Sequence, residues 1–182
     1  DLHKTVHSFP TRRSSDLCYA QSTDSGLTWQ RWDGTKYDLP IRPENAEVVD
    51  DIDQKAGLMN GGTVAMDRQG NPYIGYTRFD EQGCNQMYVA TPQEGKWKII
   101  QVSQSSKRFW FEGRGTIPES PPIPSVTVDE NDQIHIRSGG AELVLSRSQL
   151  LDLKPEQCVY QTVAEQKTGL AHVRAVNIGP LP

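Results

Sequence analysis

TVAMDRQGNPYI (63–74) and SVTVDENDQIHI (125–136) carry one pattern twice, 62 residues apart. Each reads as an alternating strand that ends in Asp, a tight turn (RQGN, then ENDQ), and a second alternating strand. Alternation with a period of two marks a strand with two distinct faces, and the Gly, Asn and Asp of the turns are residues that tolerate tight backbone geometry. The unit is therefore a β-hairpin, and its recurrence makes it a repeat.

Working outward, a further strand follows each hairpin, NQMYVA (85–90) in the first copy and AELVLS (141–146) in the second. In the first copy GKWKIIQVSQ (95–104) supplies a fourth, giving a four-stranded antiparallel meander of the size of one propeller blade. Upstream, LCYAQS (17–22) and TWQRW (28–32) read as the third and fourth strands of a preceding blade. Helical periodicity is confined to SRSQLLDL (146–153), enough for one or two turns. The fold class is all-β, a partial β-propeller with about half a blade, one full blade and most of another. A closed propeller needs at least about four blades, so the sequence is expected to be a fragment, with 18–182 an incomplete β-propeller domain.

Composition narrows the function. Of 182 residues 35 % are hydrophobic, with 12 Pro and 15 Gly, and no apolar run approaches the roughly 20 residues of a membrane span. The net charge of −4 is spread along the chain without the basic stripe that nucleic acid requires. Cys18, Cys84 and Cys158 lie far apart, which argues against a zinc site.

DLHKTVHSFPTRRSSDL (1–17) has neither an apolar signal-peptide core nor a strand-like or helical pattern. It resembles the peptide encoded by translated sequencing-adapter DNA, and it is expected to be a non-native artefact. That removes His3 and His7 as candidate groups and leaves His135 and His172.

Ser22-Thr23-Asp24-Ser25-Gly26-Leu27-Thr28-Trp29 matches the pattern S-x-D-x-G-x-T-W. It resembles the Asp box, or BNR repeat, of sialidase-like propellers. The local logic is that Asp24 accepts backbone N–H bonds in the turn, Gly26 takes a positive φ and Trp29 covers the hairpin. The resemblance implies a structural role for Ser22, Asp24, Gly26, Thr28 and Trp29, on the face away from an active site. GLMNGGTVAMDRQGNPYIGYTR (57–78), GKWKIIQVSQ and RFWFEGRGTIP (108–118) are similar to the BNR-4 type of repeat protein. Such proteins are seven-bladed propellers of polysaccharide-degrading bacteria, with ulvan lyases as relatives. Tyr73 stands where such proteins often carry His, so histidine chemistry is not expected there.

Strand order puts the turns 67–70 and 24–28 at one end of the blades. The opposite end receives TRFDEQGC (77–84), the long SSKRFWFEGRGTIPESPP (105–122) and Leu58 to Gly62. A connection that long among tight turns points to function. Arginines bind carboxylate or sulfate bidentately, and aromatic rings offer flat faces to sugars. Elimination from a uronic acid needs a cation or acid at the carboxylate, a base near C5 and an acid for the leaving oxygen. The expected catalytic residues are Tyr76, Arg78 and Arg114, with Asn60, Arg108, Trp110, His135 and Arg137 as substrate-binding residues. The competing reading is that these arginines are solvated or paired with Glu81, Glu112 and Glu119. His135 in QIHIR reads as packing between blades, with Arg137 on the same side. Trp97 and Tyr88 read as inter-blade core.

The resemblance implies a carbohydrate-active protein, a polysaccharide lyase acting on an acidic polysaccharide by β-elimination, secreted or periplasmic. Alternatives are a sialidase-like glycoside hydrolase, although its FRIP-type motif is absent, and a non-catalytic carbohydrate-binding propeller. The expected partner is an acidic polysaccharide or oligosaccharide, with no nucleic acid and no membrane span. No cofactor and no metal in the site are expected, and a structural metal ion stays open.

Overall fold

A computed structural model describes residues 3–10, 15–53, 55–58, 62–108, 123–154 and 160–161. Three antiparallel sheets carry the fold. The first contains β1 (His3–Pro10), β2 (Ser15–Ser22) and β3 (Glu47–Asp50), in that order. The central sheet is β4 (Thr63–Met66), β5 (Pro72–Phe79), β6 (Asn85–Gln93) and β7 (Lys96–Gln101), again in chain order. The third is β9 (Ser125–Val128), β10 (Ile134–Ser138) and β11 (Ala141–Leu145), with β10 in the middle. Two short strands, β8 (Ser103–Gln104) and β12 (Tyr160–Gln161), pair in parallel. The meander read from the sequence is thus the central sheet.

Both faces of the central sheet are covered, because alternate residues of β5 and β6 enter different cores. Ile74, Tyr76, Tyr88 and Ala90 meet Leu17, Tyr19, Val49 and Ile52 of the first sheet region. Tyr73, Met87, Val89 and Ile100 meet Val126, Ile134, Ile136, Leu143 and Leu145 of the third. Burying such side chains contributes about 1.5–3 kcal/mol each. Trp97 reaches across to Tyr19, ring centres 5.4 Å apart, and its Nε1 donates to Glu47 at 3.2 Å. Close approach of the central and third sheets requires Gly75, where a Cβ would stand 2.6 Å from Val126 Cγ2 and 2.9 Å from the Pro124 carbonyl oxygen.

The repeated hairpins share one turn chemistry. Asp67 Oδ1 accepts from the amides of Gln69 (3.0 Å) and Asn71 (2.8 Å), and Asp129 Oδ1 from those of Asn131 (2.8 Å) and Gln133 (2.9 Å). Gly70 (φ 85°) and Asp132 (φ 58°) hold equivalent left-handed positions. Asp132 Oδ1 also accepts from the Arg68 amide at 3.1 Å, joining one hairpin tip to the other. SRSQLLDL forms α1 (Arg147–Leu151), capped by Ser146, whose side chain accepts from the Gln149 amide while Gln149 returns a bond to the Ser146 amide.

Two local expectations change. TWQRW makes only isolated bridges, Gln30 to Gln21 of β2 and Gln30 to Lys36, and the outer strand on β2 is β3. The reason is a turn-back at Gly34. Tyr37 N donates to Trp29 O at 2.8 Å and Arg31 N to Thr35 O at 2.8 Å, so the segment uses its backbone groups on itself. The Tyr37 hydroxyl then ties the strands, donating to Tyr19 O at 2.7 Å and accepting from Glu47 N at 2.9 Å. Second, residues 3–10, read as patternless, form β1 along the other edge of β2. Ladder bonds come from the backbone and need no side-chain alternation.

Candidate functional site

Strand β5 leaves the core with Tyr76 and Arg78 on one face, two residues apart and so on the same side. Directly across on β6, Tyr76 is paired with Tyr88. The two phenol rings stack with centres 5.8 Å apart. The Arg78 guanidinium lies over the Tyr88 ring, 4.4 Å from its centre, a cation–π contact. Asp50, the last residue of β3, completes the group from the first sheet. Its Oδ2 accepts from the Tyr76 hydroxyl at 2.6 Å and from Arg78 Nε at 2.8 Å.

These contacts set the charges. Burial, then the Asp50 carboxylate, raises the Tyr76 pKa, so the phenol stays protonated. Burial works against the Arg78 cation, but Asp50 and the two tyrosines hold its pKa above the ordinary value. Burial also raises Tyr88, with the Arg78 charge partly offsetting it.

Arg78 and Tyr88 open onto a cleft of about 430 Å³ whose wall includes Gln82, Lys98, Gln101 and Leu153. Asp80 is at its rim but is committed to the β5–β6 turn, accepting from the amides of Gln82 (3.0 Å) and Cys84 (2.8 Å) and from Gln86 Nε2 (2.8 Å). Lys98 Nζ donates to the Leu151 carbonyl at 2.6 Å. A cleft with a fixed guanidinium, an aromatic wall and amide donors can bind a hydroxylated anion.

Of the residues singled out in the sequence, Tyr76 and Arg78 lie together here, while Arg108 is exposed after β8, outside the cleft lining. His135 and Arg137 are on the outer face of the third sheet. His135 Nδ1 stands 2.7 Å from Glu142 Oε1 and its Nε2 3.2 Å from Asp129 Oδ2, and Arg137 Nη2 is 2.7 Å from Glu142 Oε1. Asn60, Trp110 and Arg114 fall outside the described residues. The Asp24 turn holds itself: Asp24 accepts from the Thr28 amide (2.9 Å) and hydroxyl (2.6 Å), and Ser22 Oγ accepts from the Gly26 amide (2.8 Å). The Trp29 indole donates to Gly26 O at 3.2 Å.

Sequence reasoning missed Asp50, and it assigned Tyr88 to the core alone. Tyr88 is 5 % exposed and does belong to the core, yet it also lines the cleft. The available signal was Arg78 itself, since a half-buried arginine on an apolar strand calls for a carboxylate. Among the described residues no group of three or more His, Cys, Asp or Glu is arranged to hold a metal ion. None of their helices is long and apolar enough to cross a membrane.

Solved structures of ulvan lyases are among those that resemble this one. An ulvan lyase of polysaccharide lyase family PL25, bound to -[GlcA(1-4)Rha3S]-, is 17 % identical with a TM-score of 0.46, over 68 % of this chain and 27 % of that one. A second PL25 ulvan lyase structure is 15 % identical with a TM-score of 0.42, over 71 % and 32 %. The chain spans less than a third of either. No curated protein matches it. Residues 5–105, more than half of the sequence, match the BNR_4 family model, and the chain belongs to this family of BNR repeat-containing proteins.

Proposed function

We propose that the protein is a carbohydrate-active propeller that binds an acidic polysaccharide and cleaves it by β-elimination. The observation that carries this is Arg78, held over the Tyr88 ring at the wall of a cleft and ion-paired to Asp50. In this reading the three stacked sheets are successive blades, and membership of a BNR repeat family supports it. Arg78 takes the uronate carboxylate and stabilises the carbanion that forms as the C5 proton passes to the carboxylate of Glu81, which lines the same cleft. Tyr88, kept protonated by burial, gives a proton to the departing glycosidic oxygen. Tyr76 lies beneath, its hydroxyl committed to Asp50. Arg108 and Arg114 supply further positive charge for the polymer, Asn60 a hydrogen-bonding amide and Trp110 an apolar face. The protein acts outside the cytoplasm, where such polymers occur.

The test is to incubate the protein with ulvan and other uronate polymers and follow the ultraviolet absorbance of an unsaturated uronate. Product that disappears in Arg78→Ala and in Tyr88→Phe supports the reading. Absence of product from every uronate polymer overturns elimination. Saturable binding without turnover then assigns a binding module, and release of sialic acid a hydrolase.

A further inference from the structure

Arg78 is engaged on three sides. Nε donates to Asp50 Oδ2 at 2.8 Å, one of the two N–H bonds of Nη1 goes to the Phe79 carbonyl at 3.2 Å, and the guanidinium carbon lies over the Tyr88 ring, 4.4 Å from its centre. Asp50 is the deeper partner. Its side chain is 12 % exposed against 27 % for Arg78, so Arg78 is the more exposed partner. Asp50 is itself anchored, because the same oxygen receives the hydroxyl of the fully buried Tyr76.

Arginine meets a carboxylate or sulfate by one of two bidentate edges, Nε with Nη2 along the side or Nη1 with Nη2 across the end. An aspartate on Nε closes the side edge. We infer that Asp50 is a positioning residue: by occupying Nε of Arg78 it compels an incoming acidic group to dock end-on, across the two Nη nitrogens, from the side of the guanidinium away from Tyr88. This rests on the reading of the cleft as a site for an acidic sugar. It goes beyond that reading by fixing the edge used and the residue that selects it. Asp50 touches no substrate and acts through Arg78, and the Tyr76 hydroxyl sets where the carboxylate sits.

Three variants of the full chain test it. Asp50→Asn keeps an acceptor oxygen at the same reach without the charge, Asp50→Ala removes the acceptor, and Arg78→Lys removes the planar fork. The probe is a glucuronate-containing oligosaccharide, with binding measured calorimetrically and the side-chain Nε–H and Nη–H signals of Arg78 followed by NMR. Asp50→Asn should bind within about threefold of wild type, whereas Asp50→Ala and Arg78→Lys should weaken binding about tenfold or more. On titration the Nη–H signals should shift while Nε–H stays in place. Equal binding by Asp50→Ala, or equal loss in Asp50→Asn and Asp50→Ala, overturns the inference, as does an Nε–H shift as large as that of Nη–H. If the wild type binds no uronate oligosaccharide, the proposed function fails and the unliganded spectra decide the positioning claim. An Arg78 Nε–H signal protected from exchange in wild type and Asp50→Asn but not in Asp50→Ala supports it, and protection surviving in Asp50→Ala overturns it. A urea midpoint for each variant separates these effects from unfolding.

Discussion

Tyr73 takes a hydrogen bond on its hydroxyl oxygen from Arg147 Nη1 at 3.0 Å, a contact between the central sheet and the start of α1, 74 positions along the chain. The same hydroxyl donates to Asp67 Oδ2 at 2.8 Å, and Arg147 Nη1 also donates to Thr91 Oγ1 at 2.9 Å. Burial pushes the Tyr73 pKa up to about 12, so the proton stays in this chain of bonds at any working pH. Tyr73→Phe leaves two partners short of a bond and should lower stability by about 1–3 kcal/mol. The urea midpoint measures this, and a midpoint equal to wild type would show that the network contributes nothing.

Gly75→Ala drives a methyl group against Val126, the Pro124 carbonyl and Thr63. Two of these contacts fall below 3 Å, and one of those is to backbone, which moves only if the third sheet moves. A loss of about 1–3 kcal/mol is expected from such overpacking, with faster amide exchange in β4 and β9. Unchanged exchange in both strands would mean that the sheets are less closely apposed than this geometry requires.

The His135 pKa is raised from 6.5, by Glu142 first and Asp129 second. A proton held more tightly in the folded state stabilises it fully below the unfolded pKa and stops doing so as pH rises through the folded one. The urea midpoint should therefore decline as pH rises from 6.5 through the raised folded value, and His135→Gln should flatten that decline. The lowered pKa values of Asp129 and Glu142 act in a separate, acidic window, where stability is lost as pH falls through their folded values. An identical slope in His135→Gln would assign the decline to other groups.

Burial, with help from Asp16 and Glu47, pushes the Cys18 thiol up to about 12. The thiolate is the reactive form, so Cys18 should resist a thiol reagent at neutral pH in the native protein and react on unfolding. Peptide mapping after brief labelling checks this. Native labelling of Cys18 as fast as that of half-buried Cys84 would contradict the burial of β2.

Much of the fold was legible because its signals are local. The alternation in 63–74 and 125–136, the Asp that opens each turn, and the Ser146 and Gln149 capping pair all lie within a few residues of what they organise. The same periodicity makes Tyr76 and Arg78 neighbours. Asp50 was not legible, since it lies 28 positions from Arg78 and meets it only because two sheets stack. Nor was the fate of TWQRW. Its strand-forming residues are outweighed by the turn at Gly34, and only the competing pairing of β3 reveals which segment wins the edge of β2.

Asp132 occupies a left-handed position that its counterpart, Gly70, fills without strain. Within its own hairpin the aspartate is the inferior residue. What it adds is an acceptor for the Arg68 amide of the neighbouring hairpin. A substitution that looks like a local flaw is thus an address: it says which turn must stand beside it. Swapping the two turn sequences would preserve both hairpins while stripping the pair of its means of recognising order.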